Sequence, residues 1–401
     1  MNDDRQKNKS LLVFGAGRIG RSFIGQLFGL SGYEVVFSDI DTELVNMLNR
    51  KKSYNVIIKG EKEDKFIISN VRAVNGADEK AIIDEIKNTS IMAVSVGKNA
   101  LAKIIPVIAK GIITRFKYYK NSPIDIIIAE NMRLASEFIY EELKKNLPEN
   151  FPINNYVGLI ETSIGKMVPI MTADEIMKDP LSVYAEPYNQ LILDKKAFKN
   201  EIPDVKGLAP KENIKAWVDR KAFIHNLGHA TAAYYGYYKH SDAIYLYQVL
   251  EDENVLNFSK KVMLQAADIL LKLYPHDYFA KDLSDHIDDL LFRFQNKALK
   301  DTIFRVGQDI PRKLSADDRF MGIIRLAISL KMPYDKILEA MSYAFFFKAL
   351  DENGNRSGQD LLFEKLLSEG LDKTLSEVSG IGSKDTELQY KLKNYINKIT
   401  I

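Results

Sequence analysis

A glycine-rich turn between an apolar run and a helical pattern constrains the fold more than any other feature. The apolar run Ser10–Phe14 is followed by FGAGRIGRSFIG, which has the spacing G-x-G-x-x-G. The first glycine permits a tight turn, the second lets the main chain approach a pyrophosphate, and the third allows close helix–strand packing. Free N–H groups at the start of the next helix favour phosphate. The turn predicts a dinucleotide site with the contacts Gly15, Ala16, Gly17, Arg18, Ile19 and Gly20.

An acidic residue ends the second predicted strand. The run Tyr33–Ser38 closes on Asp39, which lies 19 residues after Gly20. A carboxylate at this place can accept hydrogen bonds from both ribose hydroxyls and would repel a 2′-phosphate. Arg18, near the turn, could instead assist a 2′-phosphate. Asp39 is the better-placed residue, so we expect NAD rather than NADP.

Two further apolar runs predict strands that share the sheet of the first two. IMAVSVG ends at Gly97, PIDIIIAEN ends at Asn131, and a helical pattern follows each. Strands that alternate with helices indicate a parallel sheet covered on both faces. Ligands bind beyond the carboxyl ends of such strands, which predicts Val96, Gly97 and Glu130 as cofactor contacts. Asn131 is a candidate donor to a substrate oxygen or, alternatively, the cap of the next helix.

The composition and the hydrophobic pattern of the sequence change after about Phe198. The segment KNEIPDVKGLAPKEN is polar and holds two prolines, and the pattern from there to Ile401 is mostly helical, as in Val255–Leu273 and Phe320–Leu330. Such a segment is typical of a domain boundary. The predicted class is α/β, with an N-terminal Rossmann-type doubly wound sheet (1–199) and an all-helical C-terminal domain (200–401).

Charge and cysteine content narrow the possible partners. The 56 basic and 54 acidic side chains leave a net charge of +2, which gives no indication of nucleic acid or membrane binding. The absence of cysteine excludes disulfides, cysteine-bound zinc and a thiol nucleophile. No apolar run approaches the roughly 20 residues of a membrane span. We therefore expect a cytoplasmic protein with a small-molecule substrate.

The stretch RKAFIHNLGHATAAYYG has the spacing of a helix but an unusual composition. At about 100° per residue, Lys221, His225, Asn226 and His229 lie on one side and apolar residues on the other. A solvated polar face would explain this pattern, although Asn, His and Gly are mediocre helix formers. The two histidines have the i, i+4 spacing of a zinc pair, but no glutamate or cysteine accompanies them. No metal is therefore expected.

Several blocks together resemble one enzyme family. Lys221-x-x-x-x-Asn226-x-x-His229 resembles the catalytic signature of the polyol-specific long-chain dehydrogenase/reductase (mannitol dehydrogenase) family. Similar blocks cover almost the whole chain: FGAGRIGRSFIG with SDID, SVGKNALAKIIPVIAKGI, IIIAENM, YAEPYNQLILDKKAF and RVGQDIPRKLSADDR. The resemblance implies metal-independent hydride transfer between NAD(H) and a sugar or sugar phosphate. The leading pair is mannitol 1-phosphate and fructose 6-phosphate.

The resemblance also implies roles for individual residues. Lys221 would be the general acid/base, Asn131 and Asn226 would hold the reacting oxygen, and His229 would orient the substrate. The chemistry requires such groups, because the alcohol loses a proton with its hydride and the developing oxyanion needs donors. A free lysine, with a pKa of about 10.4, is a poor base at neutral pH. Burial or a neighbouring positive charge must therefore lower the pKa of Lys221. His225 and Arg220 are the candidate neighbours, because they are close in sequence.

Two departures from the family pattern leave the substrate open. Gly165 and Lys166 stand where the family usually has Asp and Arg, and Gln308 replaces an arginine. Lys166, Arg312 and Lys313 are candidate contacts for a phosphate or carboxylate, although each alone also fits ordinary surface charge. The alternative substrates, with the same chemistry, are another polyol, a sugar acid or another sugar phosphate. A catalytically silent, dinucleotide-binding regulatory protein is the alternative of another class.

Overall fold

The computed structural model describes residues 9–400, and the chain divides into two compact units, Met1–Val218 and Asp219–Ile401. The first unit holds the sheet and the second is helical, which confirms the predicted fold class. The division falls within the helix Ile214–Arg220. The domain limits at residues 199 and 200 stay a prediction, and the strand Leu208–Lys211 belongs to the first unit.

The first unit contains eleven strands among the described residues. In chain order they are β1 (Ser10–Phe14), β2 (Glu34–Asp39), β3 (Ser53–Lys59), β4 (Glu63–Ser69), β5 (Val71–Asn75), β6 (Ile91–Val94), β7 (Ile124–Ile128), β8 (Val157–Ser163), β9 (Val183–Ala185), β10 (Leu191–Asp194) and β11 (Leu208–Lys211).

The main sheet has the order β11-β10-β8-β7-β6-β1-β2-β5. Its six strands from β5 to β8 are parallel, and their order is that of a dinucleotide-binding Rossmann sheet. The chain order reverses at β1, which pairs with β2 on one side and β6 on the other. The carboxyl ends of these three strands therefore meet at the switch point where ligands bind.

Both faces of the sheet are covered. Leu11 and Val13 belong to one buried apolar cluster, and Leu12 and Phe14 belong to another. Successive side chains of a strand point to opposite faces, so each face of β1 packs into its own core. This explains why Leu11–Phe14 is apolar throughout and does not alternate.

A smaller sheet, β4-β3-β9, lies in the same unit. β3 and β4 form an antiparallel hairpin in which Val56 faces Phe66. β3 alternates between buried and half-buried residues, whereas all of β4 except Ile68 is exposed. The sequence does not predict this hairpin, because the turn between its strands is charged and has no Asn-Gly signal.

Helices complete both units. Those of the first unit, including one that ends in the second, are Gln26–Leu30, Thr42–Lys51, Glu79–Asn88, Lys98–Tyr118, Ala135–Asn146, Ile153–Tyr156, Ala173–Lys178 and Ile214–Arg220. Those of the second are Leu227–Lys239, Leu246–Leu250, Glu253–Leu273, Ala280–Phe294, Ile303–Gly307, Ile310–Lys313, Met321–Leu330, Asp335–Ser342, Gly358–Ser368, Leu371–Ser379 and Thr386–Thr400, with short 3₁₀ turns at Lys297–Leu299 and Tyr343–Phe346.

Two helices contain a π-helical segment, and both carry predicted site residues. Gly20–Gly25 precedes Gln26–Leu30, and Lys221–Asn226 joins Ile214–Arg220 to Leu227–Lys239. A π-turn bonds residue i to residue i+5 and is found most often at functional sites. The uniform 100° spacing assumed for RKAFIHNLGHATAAYYG is therefore wrong between Lys221 and Asn226. The wider turn places Asn226 nearer to the Lys221 side of the helix than α-helical winding would.

None of the helices in residues 9–400 combines the length and the apolar character needed to cross a bilayer.

Candidate active site

The glycine turn is held by contacts that exclude a side chain at two of its three glycines. Gly15 has φ +94°, and a Cβ there would lie 2.5 Å from the carbonyl oxygen of Ser95. A Cβ on Gly20 would lie 2.0 Å from the carbonyl oxygen of Gly15. A Cβ on Gly17 would meet no heavy atom within 4 Å. Packing therefore requires the outer glycines, whereas the side of Gly17 is open for a ligand.

The peptide groups on both sides of Ala16 are anchored. Its N–H donates to Asp39 Oδ2 at 2.7 Å, and its carbonyl oxygen accepts from Arg21 Nε at 2.7 Å. Arg21 is buried and also donates to the carbonyl oxygen of Leu181 at 2.8 Å. Arg21, the second arginine of GRIGRS, was not among the site residues predicted from the sequence. These bonds fix the turn from two directions.

Asp39 combines an anchored carboxylate with partial exposure. It ends β2, and its Oδ1 accepts from the N–H of Asp41 at 3.0 Å. Each carboxylate oxygen can accept a further hydrogen bond, which fits the expected role toward ribose hydroxyls. Arg18 is exposed at the start of the next helix and Ile19 is half-buried. The residues of the turn thus fit the pyrophosphate and ribose of a dinucleotide.

Glu130 links the ends of two neighbouring strands. Its Oε1 accepts from the N–H groups of Val96 at 2.8 Å and Gly97 at 3.0 Å. Burial raises the pKa of Glu130, and the two hydrogen bonds oppose this shift. The structure brings these three predicted residues together, with Glu130 shaping the loop after β6.

Asn131 is exposed, and the helix after it begins only at Ala135. Leu134, in a left-handed conformation, occupies the cap position, and no side chain caps the helix there. The alternative that Asn131 caps this helix is wrong.

Lys166 is a buried lysine within the first unit. Its Nζ donates to Gln26 Oε1 at 3.0 Å and to Asn189 Oδ1 at 2.7 Å, and it lies 5.0 Å from the ring centroid of Phe23. The surface-charge alternative is therefore wrong for Lys166. Neutral amide oxygens already hold its ammonium group.

In the second unit, the signature residues differ in burial from their neighbours. Lys221, Asn226 and His229 are half-buried, whereas Ala222–His225 and the residues Leu227, Gly228 and Ala230 are buried. A face selected for solubility would be exposed, so the solvated-face alternative is wrong. Between Lys221 and Tyr234, partial access is limited to the three signature residues.

The environment of Lys221 favours its neutral form. Burial and the nearby Arg319 guanidinium lower its pKa to about 8; Arg312 adds to the effect and Asp318 opposes it. The neighbours proposed from sequence, His225 and Arg220, are not the source of the charge effect. The cations come instead from the block RVGQDIPRKLSADDR, which lies far away in the sequence.

His229 presents a hydrogen-bonding atom without a partner. Its Nε2 is buried and makes no hydrogen bond to any described residue, although Asp301 Oδ2 lies 3.3 Å away. Its ring stacks on Phe294, with centroids 4.6 Å apart. Burial and the cations Arg305 and Arg319 hold its pKa well below 6.5, so the ring is neutral at pH 7. The 3.3 Å approach is thus no charged pair.

His225 packs in the interior. It is buried, and its ring centroid lies 5.5 Å from that of Phe294 and 6.2 Å from that of His229. Burial and the nearby Arg293 hold its pKa well below 6.5. Within residues 9–400, no group of three or more histidine and acidic side chains is arranged to hold a metal ion.

The two substrate candidates of the second unit differ in burial. Lys313 is buried and donates to the carbonyl oxygen of Gln308, and burial together with Arg319 and Arg312 lowers its pKa to about 7. Arg312 is half exposed and pairs with Asp309 and Asp318. The surface-charge alternative is therefore wrong for Lys313, whereas for Arg312 both this alternative and a substrate contact fit the structure.

A Rossmann unit with an anchored glycine turn and a helical unit with a lysine of lowered pKa define a dinucleotide-dependent oxidoreductase. Residues 9–207 match the Rossmann domain of mannitol dehydrogenase, and residues 213–383 match the mannitol dehydrogenase C-terminal domain. The chain belongs to the mannitol dehydrogenase family.

Three solved structures illustrate what the chain is similar to. A mannitol 2-dehydrogenase from Pseudomonas fluorescens, in ternary complex with NAD and D-mannitol, has 15% identity and a TM-score of 0.76, covering 98% of this chain and 92% of its own. An octopine dehydrogenase has 14% identity and a TM-score of 0.49, with 88% and 93% covered. A glycerol-3-phosphate dehydrogenase from Coxiella burnetii has 11% identity and a TM-score of 0.41, with 96% and 98% covered. The Pseudomonas structure shows that the fold is shared.

The glycine turn allows a matched pair of substitutions. Gly20→Ala places a methyl group against the Gly15 carbonyl, so we expect a loss of about 1–3 kcal/mol in the free energy of unfolding. Gly17→Ala meets open space, so its melting temperature should match that of the wild type. Its NADH dissociation constant should rise about tenfold, or about 1.4 kcal/mol. Thermal denaturation and fluorescence titration measure both; unchanged NADH binding in Gly17→Ala would contradict the assigned site.

Asp39→Asn tests the selection between NADH and NADPH. The substitution keeps one acceptor oxygen but removes the negative charge that repels a 2′-phosphate, so the NADH/NADPH ratio of kcat/KM should fall about tenfold or more. Glu43→Gln, an exposed carboxylate in the next helix, serves as the control and should leave the ratio unchanged. An unchanged ratio in Asp39→Asn means that another residue selects the cofactor.

Proposed function

We propose that this protein is an NAD-dependent dehydrogenase that interconverts mannitol 1-phosphate and fructose 6-phosphate, as a mannitol-1-phosphate 5-dehydrogenase does. One observation carries the proposal. The same helix presents a lysine with a pKa of about 8 and the unpartnered, buried Nε2 of a neutral histidine. A base and a hydrogen-bonding group are what the oxidation of a secondary alcohol requires.

NAD supplies the hydride acceptor for alcohol oxidation when it is bound. The open side of Gly17 and the anchored carboxylate of Asp39 support its binding at the glycine turn. Val96 and Gly97, fixed by Glu130, are the other proposed contacts. The Pseudomonas relative was solved with NAD and D-mannitol, which supports the same cofactor and a polyol skeleton in the substrate.

Lys221 is the proposed general acid/base. In the oxidation direction its neutral Nζ accepts the hydroxyl proton while the hydride leaves the same carbon, so an alcohol becomes a carbonyl and Lys221 becomes an ammonium. In the reduction direction the ammonium returns the proton to the forming alkoxide. In the second unit, the side-chain amide of Asn226 donates to that oxygen, and Nε2 of His229 orients a neighbouring hydroxyl. Asn131, in the first unit, keeps the donor role that the family resemblance implies for it.

The charges of the second unit support a phosphorylated substrate. Four cations besides Lys221 lie close enough to lower the pKa of His229 or Lys313, namely Arg305, Arg312, Arg319 and Lys313 itself. A phosphate would favour the charged form of Lys313, whose pKa of about 7 leaves it partly neutral. We therefore assign Lys313 and Arg312 to the phosphate. Lys166 is the weaker candidate, because two amide oxygens already hold it.

The unphosphorylated polyol is the second candidate, supported by the D-mannitol bound in the Pseudomonas relative. A substrate panel followed by NADH absorbance at 340 nm separates the candidates. We expect kcat/KM for fructose 6-phosphate to exceed that for fructose or a keto-uronate by at least about 100-fold, since a buried charge pair contributes several kcal/mol. Equal kcat/KM values for fructose and fructose 6-phosphate would indicate that the substrate is the unphosphorylated polyol. NADH binding without turnover of any carbonyl would favour a regulatory protein.

Replacing Lys221 by alanine tests the general-base assignment. Loss of the proton acceptor should lower kcat by about 10²–10⁴-fold, whereas NADH affinity should stay near the wild-type value. Lys215→Ala removes an exposed lysine from the preceding helix and should leave both quantities unchanged. A Lys221→Ala variant that retains most of its turnover would rule out this role.

The pKa of Lys221 also predicts opposite pH dependences for the two directions. Oxidation needs the neutral amine, so its kcat/KM should rise with pH and level off above about 8. Reduction needs the ammonium, so its kcat/KM should be constant below about 8 and fall above it. Both profiles can be measured with saturating cofactor. Parallel profiles in the two directions would contradict proton transfer by Lys221.

A further inference from the structure

An arginine far away in the sequence contacts the end of the π-turn. The Arg319 guanidinium donates through Nη1 to the main-chain carbonyl oxygen of Asn226 at 3.3 Å, across a separation of 93 residues. Asn226 is the last residue of the π-helical segment that begins at Lys221. The arginine thus reaches the main chain of the segment that carries both the proposed base and a proposed oxyanion donor.

Arg319 is itself held in place. It is buried, and its Nε donates to Asp318 Oδ1 at 2.7 Å. Its main-chain N–H donates to the same oxygen at 2.6 Å. The other carboxylate oxygen of Asp318 lies 3.4 Å from Arg312 Nη1, and Arg312 is bound in turn by Asp309. The guanidinium therefore has one defined position and loses little conformational freedom when the site is used.

The charge of Arg319 acts on Lys221 in an environment with little water. The charged groups that influence Lys221 are Arg319, Arg312 and Asp318, whereas His225 and His229 on its own helix are neutral. Burial is the largest cause of the lowered pKa of Lys221, and Arg319 is the next. A fixed cation near a buried amine opposes its protonation.

We propose that Arg319 is a positioning residue, which holds the π-turn through the Asn226 carbonyl and supplies the positive charge that keeps Lys221 ready to accept a proton. This inference rests on the proposed function of Lys221 as the general acid/base. The same charge makes the Lys221 ammonium a stronger acid in the reduction direction. One arginine therefore aligns the turn and adjusts the proton affinity of its base.

Arg319→Gln is the first test. Competitive acetylation with acetic anhydride followed by mass spectrometry reports the pKa of Lys221 whether or not the variant is active. We expect this pKa to rise from about 8 by at least one pH unit toward the ordinary 10.5. The pH profile of polyol oxidation should shift equally, which lowers kcat/KM at pH 7.5 about tenfold for each unit.

Two further variants separate charge from hydrogen bonding. Arg319→Lys keeps the cation but loses the planar donor pair, so the pKa of Lys221 should stay within half a unit while kcat falls. Asp318→Asn combined with Arg319→Gln removes both charges, so no unpaired carboxylate contributes to the result. In this double variant the pKa of Lys221 should still lie above that of the wild type. The reason is that the lowering of this pKa by Arg319 is larger than its raising by Asp318.

Arg325→Gln is the matched control. Arg325 lies on the helix Met321–Leu330 and donates to the carbonyl oxygen of Gly380 at 2.8 Å. Its replacement should lower the melting temperature without moving the pKa of Lys221. A folded Arg319→Gln protein with an unchanged Lys221 pKa overturns the inference. If Arg319→Gln fails to fold, a Lys221 pKa shift of one unit or more in Arg319→Lys overturns it. Failure of the proposed function is seen separately, as a Lys221→Ala variant with normal turnover.

Discussion

The close approach of Gly20 to the carbonyl group of Gly15 is the contact on which the nucleotide-binding end of the sheet depends. No side-chain carbon fits between them, so the first helix begins directly at the carboxyl end of β1. That position leaves the Ala16 peptide groups between Asp39, at the end of β2, and Arg21. Glu130, after β7, fixes the loop that follows β6. Hydrogen bonds between side chains and main-chain groups thus join the ends of β1 and β2, and likewise the ends of β6 and β7.

Burial determines the chemistry of the second unit as much as charge does. Removal of water lowers the pKa of both Lys221 and Lys313 toward neutrality and leaves His229 uncharged. Arg319 and Arg312 remain paired with carboxylates, so the cluster has permanent cations beside amines that can change protonation state. Such a mixture suits a reaction in which a proton moves while an anionic group stays bound.

Most of the first unit could be predicted from sequence, because its strands are buried on both faces. β1 was predicted with the observed limits and β2 with a shift of one residue. The hairpin β3–β4 and the strands β5, β9 and β11 were not predicted, because none of them has more than three consecutive apolar residues and β11 contains Pro210. Arg21 and Arg319 could not be found, since each acts on a main-chain carbonyl group whose position only the fold determines. The predicted placement of side chains around the helix was wrong between Lys221 and Asn226, because it assumed α-helical winding.

The π-helical segment also makes the length of the chain a constraint. A π-turn holds one residue more than an α-turn, so a deletion of one residue between Lys221 and Asn226 would allow regular α-helical winding. Because the wide turn and an α-turn cover nearly the same rotation, the later residues of the helix would keep their faces relative to Lys221. His229 would stay against Phe294, and Leu227, Ala230 and Tyr234 would stay in their core. A deletion after Asn226 has no wide turn to absorb it and would rotate every later residue of the helix by about 100°.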